Sequence, residues 1–170
     1  MYDIPSKDYI MEYNELINGF AKKFAIAGLE ISDGATALDI DGIVIEIVHD
    51  TVMNEVIAIA EIGVLPPDAN GPFGSAMLKA NYMFSGTDRA VICQNPETDA
   101  YALMKSWPLV SLDVETFANA MSALMNTTEQ WRELVSGACV AEEVAPAKGA
   151  DSRESPHGAG SFSLGGFMQV

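Results

Sequence analysis

The chain has 170 residues, 49% of them hydrophobic and 19% charged, enough for one globular domain with a real core and too apolar for a disordered chain. Nowhere do about eighteen apolar residues run together, so no segment is expected to span a membrane. The start, MYDIPSKDYI, lacks the basic region and apolar stretch of a secretory signal. The formal net charge is −15, and no Lys or Arg lies between Phe24 and Leu78, where every charged side chain from Glu30 to Asp68 is acidic. Such a surface repels phosphate backbones and argues against nucleic acid, while it suits a weakly charged or basic partner. Cys93 and Cys139 stand far apart in unlike contexts, which is neither a disulfide framework nor a CxxC site, so a reduced cytosolic setting is the expectation.

Ser6 is placed to cap a first helix, in which Ile10, Tyr13, Ile17, Phe20 and Phe24 form one apolar stripe and Gly28 is the expected stop. From Ala35 to Val64 the period changes to two, with Asp41-Gly42 as a tight turn between ATALDI and IVIEIVHD. In the second strand Ile43, Ile45 and Ile47 face one way. Val44, Glu46 and Val48 face the other, a side too apolar to be an ordinary wet face and therefore a candidate binding strip. Leu65-Pro66-Pro67-Asp68 stops the sheet.

The stretch GPFGSAMLKANYMFSG, from Gly71 to Gly86, reads as a helix opened by Pro72 and closed by Gly86. It is apolar on more than one side, so it fits either the centre of a single-chain core or a helix shared between its own sheet and a partner. AVICQ and AYALMKSW flank the turn-rich NPETD as a hairpin closed by Pro108. Asp113 is placed to cap a third helix with Phe117, Met121 (or Ala120), Leu124, Thr128, Trp131 and Val135 inward and Gly137 as its end. The expected organisation is a domain over residues 1–136 and a Gly/Ala/Ser-rich flexible tail over 137–170, whose end, FSLGGFMQV, is apolar for a free terminus. The fold class is α+β, a mostly antiparallel twisted sheet with three helices in the order α-β-β-β-α-β-β-α.

Candidates for catalysis are few. His49-Asp50 sits at a strand end, Cys93 lies inside a strand, and Asp39 with Asp41 flanks a turn where only a weak cation site is conceivable. HExxH, P-loop, GxGxxG and GxSxG patterns are absent. No catalytic residue, metal or cofactor is expected.

Several stretches are similar to class I type III secretion chaperones of the CesT-like (Tir chaperone) family. They are FAKKFAIAGL, ALDIDGIVIEI, IGVLPPD, ICQNPETDAYAL, WPLVSLDVETFANAM and EQWRELV, together with MLKANYMFSGT, which resembles a Leu-Leu-x-Ala-Asn-x-Leu-Phe signature. The resemblance covers about residues 9–136. It implies a homodimeric, non-enzymatic chaperone of the bacterial cytosol that keeps the non-globular N-terminal segment of a secreted effector export-competent. The secretion-apparatus ATPase is a further candidate partner. Carried over, Met77, Leu78, Tyr82, Met83 and Phe84 would serve the dimer interface or core, and Ile10, Tyr13, Ile17, Val44 and Val48 the cargo surface. Two rival readings remain open: a module that binds a regulatory partner such as an anti-activator, and a small ligand-binding or enzymatic domain built around His49 and Asp50.

Overall fold

The computed structural model of the chain describes residues 12–66 and 70–143. Five strands form one antiparallel sheet: β1 (Ala35–Ile40), β2 (Ile43–Asp50), β3 (Glu55–Gly63), β4 (Val91–Gln94) and β5 (Tyr101–Pro108). Their spatial order is β1-β2-β3-β5-β4, with the short β4 at one edge and β1 at the other. Three helices accompany them, α1 (Tyr13–Lys23), α2 (Asn70–Asn81) and α3 (Val114–Glu143). The α-β-β-β-α-β-β-α order expected from the sequence is the order found.

The local chemistry explains most of these elements. Asp41 and Gly42 both take positive φ, 53° and 76°, as a two-residue hairpin turn matched to strand twist requires. The Asp39 carboxylate accepts the Gly42 N–H at 2.9 Å, so it shapes the turn. Asp113 caps α3 by accepting the Thr116 N–H at 2.7 Å, and these hydrogen bonds hold its carboxyl below the usual carboxylate range. The β2–β3 turn is organised by Asp50, which accepts N–H groups from Val52 and Met53.

Three helix ends differ from the expectations, while the Ser6 cap and Ile10 lie outside the described residues. Helix α2 ends at Asn81 and gives way to a 3-10 turn over Tyr82–Phe84, short of the expected Gly86. Helix α1 stops at Lys23, before Gly28: Ala25 takes φ 53°, its N–H donates to Lys22 O, and the Ile26 N–H donates to Ala21 O. Those two bonds satisfy carbonyls that the helix end leaves open, so a left-handed alanine does what a glycine was expected to do. Helix α3 runs through Gly137 to Glu143, because an isolated glycine only weakens a helix and no proline follows until Pro146. The remainder of the expected tail, residues 144–170, lies outside the described residues.

One face of the sheet is closed. Ile45, Ile47, Val56, Ala58, Ala60 and Leu103 are buried there against α1 and α3. Phe117 sits at the junction, edge-on to Phe20 at 5.1 Å and to Trp107 at 6.2 Å. The helices approach closely at Gly19, where a Cβ would stand 2.6 Å from Val114 Cγ2. Tyr13 anchors α1 to the sheet: its hydroxyl donates to Ile47 O at 3.0 Å, and its ring stacks on His49.

Burial pushes the Tyr13 phenol up to about 12 from an ordinary 10. Below about pH 10 the phenol is neutral in both folded and unfolded chains. Between about 10 and 12 the unfolded chain ionises first, so stability falls by roughly 1.4 kcal/mol per pH unit. Tyr13→Phe is therefore expected to be less stable than the parent by about 1 kcal/mol near neutral pH, where it loses the hydrogen bond. The gap should close above about pH 10, because only the parent loses stability through this group there. Urea titrations of both proteins across that range check it, and a gap that stays constant would contradict the assignment.

Candidate protein-binding surface

Helix α2 is half in the core and half out of it. Met77 is buried and Phe73 and Ala80 pack against the core, while Leu78 is 72% exposed. The chain then tightens into a 3-10 turn over Tyr82–Phe84, in which Met83 and Phe84 both take φ 56°. Left-handed backbone costs a non-glycine residue on the order of 1 kcal/mol. Two anchors just beyond the turn hold it: the Trp131 indole N–H from α3 donates to Gly86 O at 2.8 Å, and Lys105 from β5 donates to Asp88 O and pairs with its carboxylate. The effect is to present Tyr82, Met83 and Phe84 to solvent beside Leu78, a contiguous stretch of apolar surface of the kind that marks an interaction site.

Asn81 closes α2 and seals the β4 edge at the same time. Its side-chain amide donates to Ile92 O at 3.1 Å and its carbonyl accepts the Ile92 N–H at 2.8 Å, so one side chain satisfies the backbone of an edge strand as a neighbouring strand would. The sequence presented Asn81 only as a polar break in an apolar helix. Its one hint was its place inside MLKANYMF. The other edge is treated differently. Ser32 folds back to exchange both backbone bonds with Ala35, and among the described residues no backbone bond from outside the sheet reaches Ala37 or Asp39 on β1.

The second face of the sheet is only partly covered. Val44, Val91 and Met104 are exposed, and Val48, Ile57 and Ile59 are half-buried. A groove of about 410 Å³ opens there, floored by Val44, Ile59 and Ala102 and walled by Glu46, Glu61 and the β4–β5 turn. A second, of about 550 Å³, lies between the β1–β2 turn and α3.

The expected site residues separate in this frame. Leu78, Tyr82, Met83 and Phe84 share the exposed stretch, and Met77 belongs to the chain's own core. Val44 is on the open sheet face with Val48. Tyr13 and Ile17 are core residues, buried between α1, the sheet and α3, while Phe24 at the end of the same stripe is half exposed. Ile10 lies outside the described residues.

His49 stacks on Tyr13 and approaches Asn54 Oδ1 at 3.3 Å, and it lines neither groove. Cys93 is half-buried with its thiol on Ala102 O, and burial pushes that thiol up, away from reactivity. Among the described residues no three metal-ligating side chains converge, and no helix is long and apolar enough to cross a membrane.

A sheet closed on one face, with an exposed helix end and a half-open second face, defines a protein-binding α+β module. The sequence profile of the Tir chaperone protein (CesT) family matches residues 15–132, and the chain belongs to that family. The fold is that of solved chaperones. The HopA1–SchA chaperone–effector complex contains a chain with TM-score 0.60 and 18% identity, covering 71% of this chain and 93% of that one. The Yersinia pestis type III secretion chaperone SycH, solved with a stable fragment of YscM2, gives TM-score 0.56 and 18% identity over 71% of this chain and 99% of that one. A chain of the ExsC–ExsE complex gives TM-score 0.60 and 18% identity over 72% and 92%. Among curated proteins, none matches the sequence.

Proposed function

We propose that the chain is a type III secretion chaperone of the bacterial cytosol, working as a homodimer without catalysis. It holds the non-globular N-terminal segment of a secreted effector for export. The observation that carries the reading is the exposed apolar stretch Leu78, Tyr82, Met83 and Phe84 in a member of the Tir chaperone family. Fully burying such side chains is worth roughly 1.5–3 kcal/mol each, which favours pairing of two copies through this surface. The HopA1–SchA, SycH and ExsC structures, each solved with a bound protein, support an effector as the partner.

Cargo on this reading lies along the open sheet face at Val44 and Val48 and adds a strand at the β1 edge, where Ala37 and Asp39 have no outside backbone partner among the described residues. Strand addition supplies affinity through backbone bonds and asks little of the cargo's sequence, as a non-globular segment requires. Presentation to the secretion-apparatus ATPase is the step this holding would serve.

The test is co-purification of the tagged full chain from cells expressing a type III system, with bound protein identified by mass spectrometry. The expected result is a secreted protein held through its N-terminal region, and a truncation lacking that region should no longer co-purify. Capture of a cytosolic regulator alone would favour the anti-activator reading instead.

A further inference from the structure

The groove on the open sheet face combines an apolar floor with unpaired negative charge. Glu46 on β2 directly opposes Ile59 on β3, and Glu61 opposes Ala102 on β5. The two carboxylates are thus diagonal neighbours across β2 and β3, where such positions lie about 7–8 Å apart. Val44, Ile59 and Ala102 form the floor beside them. The third carboxylate, Glu97, belongs to a wall that is already ordered: Asn95 Oδ1 accepts the Glu97 N–H, Asn95 O accepts the Asp99 N–H, and the Gln94 amide donates to Asp99 O.

Among the described residues no Lys, Arg or His lines the groove. No cation among them pairs with Glu46, Glu61 or Glu97, the ion pairs there being Lys23–Glu115 and Lys105–Asp88.

This combination selects an occupant. A purely apolar guest would cover the floor only by stripping water from carboxylates that gain no partner, which is costly. An acidic guest would add repulsion. A guest that brings a guanidinium or ammonium on an aliphatic stem satisfies both parts, with the stem on Val44 and Ile59 and the head between the carboxylates. On a sheet face side chains recur every second residue, so an extended guest would carry its basic groups at alternate positions.

We propose that this groove is a subsite for an extended cargo segment that carries Arg or Lys at alternate positions, read by Glu46, Glu61 and Glu97. The proposal rests on the chaperone reading for the source of that segment.

The probe is a fluorescein-labelled Arg-Val-Arg-Val-Arg peptide, with Glu-Val-Glu-Val-Glu and Ser-Val-Ser-Val-Ser as comparisons, titrated with the full chain by fluorescence polarisation. The basic peptide should bind, and more weakly as salt rises, while the acidic peptide should not. Glu46→Gln with Glu61→Gln should weaken binding about tenfold, since two partly exposed ion pairs are removed. Both positions are exposed, so this variant is expected to fold, as circular dichroism would verify. Glu129→Gln with Glu133→Gln, in the other groove, should leave affinity unchanged. In a Cys139→Ser background the bound peptide should slow still further the slow reaction of half-buried Cys93, in the groove wall, with a neutral maleimide.

Equal affinity of the parent and the Glu46/Glu61 variant, or binding without Cys93 protection, overturns the proposal. So does loss of the dimer in that variant with no peptide binding to the parent, which would assign the groove to a second copy. Cargo capture that survives the Glu46/Glu61 substitutions would sink the subsite and leave the chaperone reading intact. Peptide binding without any secreted cargo would do the reverse.

Discussion

Met83→Glu is expected to give a folded monomer. Met83 is 78% exposed and Leu78 72% exposed within one chain, so a charge at either place costs the isolated fold little. In a two-fold dimer each substitution occurs twice in the same self-complementary patch. Burying an uncompensated carboxylate there costs several kcal/mol per site, so the dimer dissociation constant should rise by more than about a hundredfold. Light scattering at micromolar concentration should give about twice the 18.2 kDa chain mass for the parent and the single-chain mass for Met83→Glu and Leu78→Glu, with circular dichroism unchanged. A parent monomer, or a Met83→Glu protein that stays dimeric, would remove this surface from the interface. Met77→Glu should behave differently, because Met77 is 2% exposed and a charge there should unfold the chain itself.

The second large effect concerns Trp131, which joins the core to the exposed stretch. Its ring is buried in the hydrophobic cluster and its indole N–H holds Gly86 O, in the segment where the chain returns from the strained Met83-Phe84 turn. Trp131→Ala should lower the unfolding free energy by about 3–5 kcal/mol, a large part of a typical domain's 5–15. Trp131→Phe keeps most of the volume and removes only the donor, so its cost should be about 1–2 kcal/mol. The informative outcome is what Trp131→Phe does to association. If the indole bond holds the 82–84 turn in its outward conformation, the variant should stay folded in urea titrations while its dimer weakens. Unchanged association would mean that Lys105 and the local backbone suffice to hold the turn.

Much of the fold could be read locally. Asp41-Gly42 marks a turn because only residues tolerant of positive φ fit there, and Asp113 marks a helix start because its carboxylate meets an open N–H. The period-two run from Ala35 to Val64 put Ile43, Ile45 and Ile47 on one face, and those are the buried ones. In each case the cause lies within a few residues along the chain. The helix ends were less legible for the same reason. Ala25 closes α1 by hydrogen bonds that any left-handed residue could make, and Gly137 continues α3 because a glycine permits a stop without imposing one.

The amino-acid sequence by itself determined the order of strands and helices, the acidic surface, the family signature and an α2 too apolar for one layer. It left open which side of each apolar element would be covered, because burial belongs to pairs of elements. The family resemblance offered Tyr13 and Ile17 to cargo, and only the packing of the sheet and α3 shows both of them buried. Leu78 and Met77 are adjacent apolar residues, and only the packing of α2 beside β4 sends one inward and the other out. Asn81 meets Ile92 across eleven positions, Trp131 meets Gly86 across forty-five, and the groove joins carboxylates from β2, β3 and a distant turn. Such contacts exist only once the chain has closed on itself, and they place the surfaces through which this protein is proposed to act.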